Sequence, residues 1–453
     1  MEDRCGRADV TNQGAAAKHL RAGPGARHLG WRGALVVSRA AAVEKMLLAA
    51  PVFLLSAALA AAAGGDDRDE REQQCYEASV VSFGSNPVLG FLGGTSDFLM
   101  AFNPSWVLPS AGTGGRAGLL VRSQNCSADG GLNGSFLSHC GPHCAGGPGS
   151  PRGGPGSPSR IAFAELLNDD GCNRTAANDG NEETLSCSTP RFRPIGNASV
   201  VFEAQVPSEV RGTEDPRMVF DEHAQVYYLL YTSAYHTHIA SSKDPTRADG
   251  WTRHGPICRS TTACAKSGAL LLSDAPSAEN PHHLFHTAGQ IFVTHTAGPV
   301  TGGDWANSTL FLNGTSWGNP FVESGPPPMK LSTGDYIFFV NSWHVPDPAK
   351  GQQANVYEPF WVVLSGSDPT KIIAQASKPL FEPTQKVWMT GHPSTPAAPV
   401  VCNTAEVAFV EAAHPIGKDL FRVYFGWADA VVGTAVVQVS VCDDTPPTTS
   451  QHE

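Results

Sequence analysis

The segment Arg211-Gly-Thr-Glu-Asp-Pro-Arg217 sets two adjacent carboxylates, Glu214 and Asp215, beside the guanidinium of Arg217, in a turn that leads into the apolar run 226–231 (VYYLLY). This grouping suits general acid–base chemistry. A carboxyl that is protonated near working pH can give a proton to a leaving oxygen; burial or a neighbouring carboxylate raises its pKa, and a cation opposes the rise. Pro216 fixes its own φ and biases Asp215 toward extended backbone. In a strand, Glu214 and Asp215 would then face opposite sides, one toward a cleft and the other bracing the loop. Arg217 would pair with a carboxylate or bind substrate oxygens. On composition alone, the same residues also read as a charged surface turn.

The elements that must position these groups are short. Apolar runs at 118–122 (GLLVR), 226–231, 290–295 (QIFVTH), 336–340 (YIFFV), 360–364 (FWVVL), 421–425 (FRVYF) and 435–441 (AVVQVSV) recur between turn clusters. They are rich in Val, Ile, Phe and Tyr and mostly too short for helices, which predicts an all-β fold, sandwich or propeller. Exact repeats are absent, so periodicity alone does not select the propeller. Residues 127–158 are rich in Gly, Pro and Ser and read as a loop insertion.

The net charge of −11 argues against a nucleic-acid surface. Residues 46–63 (MLLAAPVFLLSAALAAAA) read as a signal peptide or a signal anchor. Residues 1–45 are then either a misassigned start or a basic extension on the cytoplasmic side. Membrane association is expected only if 46–63 is retained. Residues 64–74 read as a flexible lead-in and 446–453 as a disordered tail. Of the 11 cysteines only Cys5 precedes the signal, which leaves an even set behind it, as a disulfide framework expects. Sequons at Asn125, Asn133, Asn173, Asn197, Asn307 and Asn313 agree with a glycosylated protein of the secretory lumen, secreted or anchored as a type II membrane protein.

In this setting Glu214-Asp-Pro-Arg217 resembles the EDPR signature of glycoside hydrolase family 130, the β-mannoside phosphorylases and hydrolases with a five-bladed β-propeller. Other segments resemble the family in the same order: Asn86-Pro-Val-Leu; Phe102-Asn-Pro104 with Leu119-Leu-Val-Arg122; Lys266-Ser-Gly-Ala-Leu270; Gly325-Pro-Pro-Pro328; Ser367-Asp-Pro369 with Lys378-Pro-Leu; and Tyr424-Phe-Gly-Trp-Ala-Asp429. The chain resembles a divergent, secreted member of eukaryotic type, with the propeller over 75–445.

The resemblance implies cleavage of a β-mannosidic bond with inversion in an oligosaccharide substrate. Asp215 matches the proton donor, acting through a sugar hydroxyl, with Glu214 beside it. Asn103, Arg122 and Asp429 match sugar-binding positions, and Lys266 matches a phosphate ligand. Inorganic phosphate is a possible co-substrate; no metal or organic cofactor is expected.

The departures lie on the nucleophile side. His295-Thr296 stands where many members carry His-Arg, and Val340-Asn341-Ser342, with His344 nearby, stands for the family's Tyr-His-Gly. Hydrolysis would instead need a base, roughly 6.5–9.5 Å from the acid in inverting enzymes. Glu279 and Glu358 are the candidates. His282 and His283 follow Glu279 closely and would contact substrate or phosphate, or sit in a surface loop. With His286 and His295 they match no specific metal geometry. Trp343 and Trp427 are expected to line the cleft. A catalytically silent glycan-binding propeller, or a propeller of glycosidase families 43 or 32, are the competing readings.

Overall fold

The apolar runs fold as antiparallel strands, because branched and aromatic side chains pack well on a pleated surface and turn residues separate the runs. In this computed structural model the described residues are 75–90, 100–124, 159–168, 171–176, 183–209, 212–258, 264–319, 321–345, 347, 356–383, 407–427, 429 and 431–442. The segments 1–45, 46–63, 64–74, 127–158 and 446–453 of the sequence reading lie outside them. Among the described residues helix is limited to short 3-10 turns, and none is long and apolar enough to cross a membrane.

The strands form five sheets and one separate hairpin. β1 (Tyr76–Phe83) comes first in sequence but joins the last sheet. The first blade holds β2 (Met100–Val107), β3 (Gly118–Gln124) and β4 (Arg160–Asn168). The hairpin of β5 (Cys172–Ala176) and β6 (Glu183–Cys187), tied by a Cys172–Cys187 disulfide, follows. β7 (Arg191–Phe192) and β8 (Val200–Phe202) then edge the first blade. The second blade is β9 (Glu214–Asp221), β10 (Val226–Ser233), β11 (His236–Ser242) and β12 (Trp251–Pro256). The third is β13 (Ala269–Leu271), β14 (His282–Thr287), β15 (Ile291–Thr296) and β16 (Thr309–Leu312). The fourth is β17 (Phe321–Ser324), β18 (Met329–Lys330), β19 (Tyr336–His344), β20 (Val356–Leu364) and β21 (Ile372–Gln375). The fifth joins β22 (Ala408–Gly417), β23 (Leu420–Trp427) and β24 (Val431–Val441) to β1. The molecule is a five-bladed β-propeller.

Middle strands are sandwiched between neighbouring blades, so they are apolar on both faces; β23 is buried at every position. Outer strands alternate, as β12 does. Apolar clusters fill the gaps around the ring. Leu119 and Tyr424 join blades one and five, Leu120 and Tyr227 blades one and two, Leu230 and Leu270 blades two and three, and Phe285, Phe338 and Phe421 blades three, four and five. Each such fully buried side chain contributes about 1.5–3 kcal/mol.

The ring closes where β1 pairs with β24, from Tyr76 opposite Val441 to Phe83 opposite Ala435. A Cys75–Cys442 disulfide locks the seam. Buried Asn86 accepts from the Thr434 backbone N–H at 2.7 Å and donates to its carbonyl at 3.2 Å. The Asn-Pro motif therefore serves the seam. The inner strands β2, β9 and β22 pack against one another around the axis, so their polar side chains converge there.

Candidate functional site

Asp215 is the second residue of β9 and is buried, with 8% of its surface exposed. Its φ is 51°, left-handed rather than the extended form that Pro216 favours. The β9–β10 register also slips between Leu230 and Thr232, opposite this turn. Together these break the strand alternation, so Glu214 and Asp215 do not face opposite sides. Both reach Arg122: Nη1 donates to Asp215 Oδ1 at 2.8 Å and Nη2 to Glu214 Oε1 at 3.0 Å. Arg122 comes from β3, with its guanidinium 4.9 Å above the Phe102 ring.

Asn103 sits at a bulge of β2 between Phe102 and Pro104, with φ 46°, and its Nδ2 donates to Asp215 Oδ1 at 2.9 Å. Gly426 of β23 makes this approach possible, since a Cβ there would lie 2.1 Å from Asn103 Oδ1. Ser267 (φ 62°) and Asp429 (φ 49°) are also left-handed. The site is thus built on four non-glycine residues in a conformation that costs on the order of 1–3 kcal/mol each.

Arg217 is not open to a sugar, as the sequence reading expected. It is 1% exposed and ties three blades together. Its Nε donates to Gly325 O at 2.9 Å, Nη2 to Ser324 O at 2.8 Å and Nη1 to Asp215 O at 3.2 Å; Nη1 also pairs with Glu411 at 3.0 Å. Lys266, just ahead of β13, holds Glu323 of β17 by its Nζ at 2.8 Å from Oε1 and 2.9 Å from Oε2. Ser267 Oγ and, at 3.4 Å, the Tyr357 hydroxyl also donate to Glu323. Lys266, Glu323, Tyr357, Thr287, Phe321 and Trp343 line a pocket of about 240 Å³. Trp343 thus lies where a cleft-lining residue would.

The remaining candidates are placed elsewhere. Asn341 is wholly buried, and its amide bridges blades four and five, Nδ2 to Val410 O at 3.0 Å and Oδ1 from Val410 N at 2.8 Å. Both ends of that amide are engaged, which leaves none for a nucleophile. Trp427 is a core residue, buried against Phe425. Glu358 and Tyr357 alternate on β20; Tyr357 faces Glu323, while Glu358 lies 3.5 Å from His344. Glu279 is exposed in the loop before β14 and accepts from Ser277. His282 and His283 start β14, whereas its far end, Thr287, bonds the Lys266 carbonyl at 2.9 Å. They stand roughly 15 Å along the strand from that end. Among the described residues no His, Cys, Asp or Glu group gathers to hold a metal.

Sequence reasoning missed Glu323, Tyr357 and Glu411. A signal existed for Glu411: a single carboxylate inside the apolar run 408–413 (AFVEAA) is costly to bury unless it has a partner there.

Each of the three cations, Arg122, Arg217 and Lys266, has a carboxylate partner before any ligand enters. Burial pushes Asp215 up, but Arg122, Arg217, the Asn103 bond and Lys266 together hold it down at about 2. Burial raises Glu214, with the Asp215 charge adding against the pull of Arg122. Burial, with Asp215 and Glu323 adding against Arg122 and Lys266, pushes Asp429 up to about 6. Burial lowers Lys266, but Glu323 more than offsets it and the net shift is upward. At rest the pair therefore keeps Asp215 ionised and favours the proton on Glu214.

The 1,2-beta-oligomannan phosphorylase of Thermoanaerobacter sp. (strain X514) is 25% identical over 255 residues, 53% of this chain and 72% of that protein. The Beta-1,2-mannobiose phosphorylase of the same organism is 25% identical over 245 residues, 52% of this chain and 70% of that protein. Among solved structures, the Beta-1,2-Mannobiose phosphorylase from Listeria innocua, in complex with beta-1,2-mannobiose, aligns at 14% identity and TM-score 0.49, covering 79% of this chain and 97% of that one. A glycosyl hydrolase from Bacteroides ovatus aligns at 18% identity and TM-score 0.47, covering 80% and 93%. The sequence model of glycoside hydrolase family 130, described as beta-1,4-mannooligosaccharide phosphorylase, matches residues 192–443. That span is more than half of the chain and takes in the carboxylates and cations contributed by blades two to five, and the chain belongs to that family.

Proposed function

We propose that this protein cleaves β-mannosidic bonds at the end of an oligosaccharide with inversion, and that water is the nucleophile. The observation that carries the choice of water is the Lys266–Glu323 pair: the cation matching a phosphate ligand already holds a carboxylate through both oxygens. Arg122 is likewise held by Glu214 and Asp215, and Arg217 by Glu411. A phosphate dianion would have to displace Glu323, whereas water would find a base there. In this reading Glu323 takes a water proton, the hydroxide oxygen bonds to the anomeric carbon, and the glycosidic bond breaks. The leaving oxygen takes its proton from Asp215, directly or through a sugar hydroxyl. Asp215 gains that proton when substrate binds: a hydroxyl that draws Arg122 Nη1 to itself weakens the strongest pull keeping Asp215 ionised, and Glu214 is the adjacent source.

Phosphorolysis is the second reading, favoured by the family's description and by both phosphorylase relatives. The disulfides support an oxidising location, and we place the protein in the secretory lumen or outside the cell. The test incubates the full chain with β-1,2- and β-1,4-mannobiose, with and without inorganic phosphate, and follows products by proton NMR. Expected is mannose, first as the α anomer, at a rate that phosphate does not raise. Mannose 1-phosphate formed only with phosphate would replace water by phosphate. No product in either arm would leave a glycan-binding propeller and overturn the reading.

A further inference from the structure

The inner strands continue past the carboxylate cluster. β2 runs on from Asn103 to Trp106, β9 from Asp215 to Met218, β22 from Glu411 to His414, and the chain after β17 from Glu323 to Pro328. At about 3.3 Å per residue, Met218 lies roughly 10 Å along β9 from Asp215. Here the four blades enclose a second pocket, of about 200 Å³, with Glu411 in its lining. Arg217 stands between the two ends, touching the Asp215 carbonyl on one side and Glu411 on the other.

Its walls are flat and apolar: the Pro326–Pro328 triplet, Met218 and Tyr227, with Trp106 stacked on His414 at 3.7 Å. Within this lining both carboxyl oxygens of the buried Glu411 and the indole Nε1 of the half-buried Trp106 have no hydrogen-bond partner among the described residues. Among the described residues Glu411 has only the ion-pair contact to Arg217, and it is wholly buried. Buried polar groups in native proteins are nearly always hydrogen-bonded, so two on one cavity call for a molecule that completes them. Burial drives the Glu411 carboxyl well up against the pull of Arg217, which favours the neutral form, a donor and an acceptor together. Burial likewise holds His414 down at about 3, with Arg422 adding, so it is neutral too. The volume is below that of drug-sized sites and suits a single ring.

We infer that this pocket is a second ligand site, separate from the Asp215 end, for a small neutral hydroxylated ring the size of one pyranose or one phenol. Its apolar face lies on the prolines and Met218, and its hydroxyl oxygens meet Glu411 and Trp106 Nε1. The inference does not depend on whether the Asp215 end uses water or phosphate, or on its cleaving anything.

The test titrates D-mannose and, separately, phenol into the full chain by calorimetry, in an Asp215→Asn, Asn103→Ala background that removes sugar binding at the other end. Two fillers of its lining are compared, Ala413→Met on β22 and Met329→Trp on β18, each checked for an unchanged thermal midpoint. Expected is saturable binding of at least one probe, weakened tenfold or more by each filler. Soaked crystals of the unsubstituted protein should show that probe between Trp106 and the prolines. Mannose binding would point to a sugar as the natural ligand and phenol binding to an aromatic one. No saturable binding of either, binding that both fillers leave untouched, or ordered water alone in the pocket would overturn the inference.

Discussion

In the proposed hydrolysis, Lys266 and Glu323 decide the chemistry at the scale of single residues. Glu323 takes three donors, and Lys266 has no second carboxylate at bonding distance among the described residues. Replacing the acid by its amide, Glu323→Gln, removes the proposed base and frees the ammonium. Hydrolysis of β-mannobiose should fall by roughly 10²–10⁴-fold, and inorganic phosphate should begin to bind, seen as a new calorimetric signal. An unchanged hydrolysis rate would remove Glu323 from the mechanism. Asp429 offers a test with a pH sign. Its folded pKa, about 6, stands above the ordinary aspartate value of 3.8, so its contribution is favourable while it is protonated and is lost as pH rises through 6. A shift of that size corresponds to roughly 3 kcal/mol. Asp429→Asn should therefore match the native protein near pH 3 and exceed it in urea stability at pH 8. Equal stabilities at pH 8 would show that the carboxylate is not penalised there.

At the scale of elements, the site depends on departures from regular strand geometry. Gly426 in the middle of β23 shows this most sharply, because its missing side chain is the space Asn103 occupies. Gly426→Ala should push Asn103 off Asp215 and lower kcat tenfold or more while the far-UV circular dichroism of the propeller stays unchanged; wild-type kcat would mean that Asn103 is not needed where it stands. The same departures limited what could be read from the sequence. Asp215 was legible, because adjacent carboxylates before a strand are unusual and the ordered motifs resembled a family. Its geometry was not, because a left-handed φ and a bulge overrode the proline bias and the two-residue alternation. Arg217 and Asn341 are polar residues in motif positions, which read as ligand-binding, yet they are held by backbone groups of blades distant in sequence, and Arg217 by Glu411 as well. Trp427 likewise belongs to the core, since β23 is covered on both faces. Glu323 was hidden in a four-residue strand whose partner, Lys266, lies 57 positions earlier.

At the scale of the molecule, the propeller was legible as short Val-, Ile- and aromatic-rich runs between turns, but blade number came from resemblance, since no repeat fixes it. What the runs could not reveal is the seam, where β1 completes a sheet begun near the other end of the chain. Every inter-blade interface supports its neighbours, so opening one seam exposes the clusters on both sides and releases the ring. The Cys75–Cys442 bond closes a loop of 367 residues, which makes the unfolded chain lose much of its freedom. Asn86 adds its two hydrogen bonds to Thr434 inside the same seam. Cys75→Ser with Cys442→Ser should therefore lower the unfolding free energy by about 2–5 kcal/mol. Removing the hairpin bond with Cys172→Ser and Cys187→Ser, a separation of only 15, should cost less, because the closure entropy grows with loop length. Urea titrations of the two double variants under oxidising conditions check the order. If the hairpin pair proved the more damaging, the seam would be held by strand pairing and Asn86 alone, and the covalent closure would matter only after unfolding had begun.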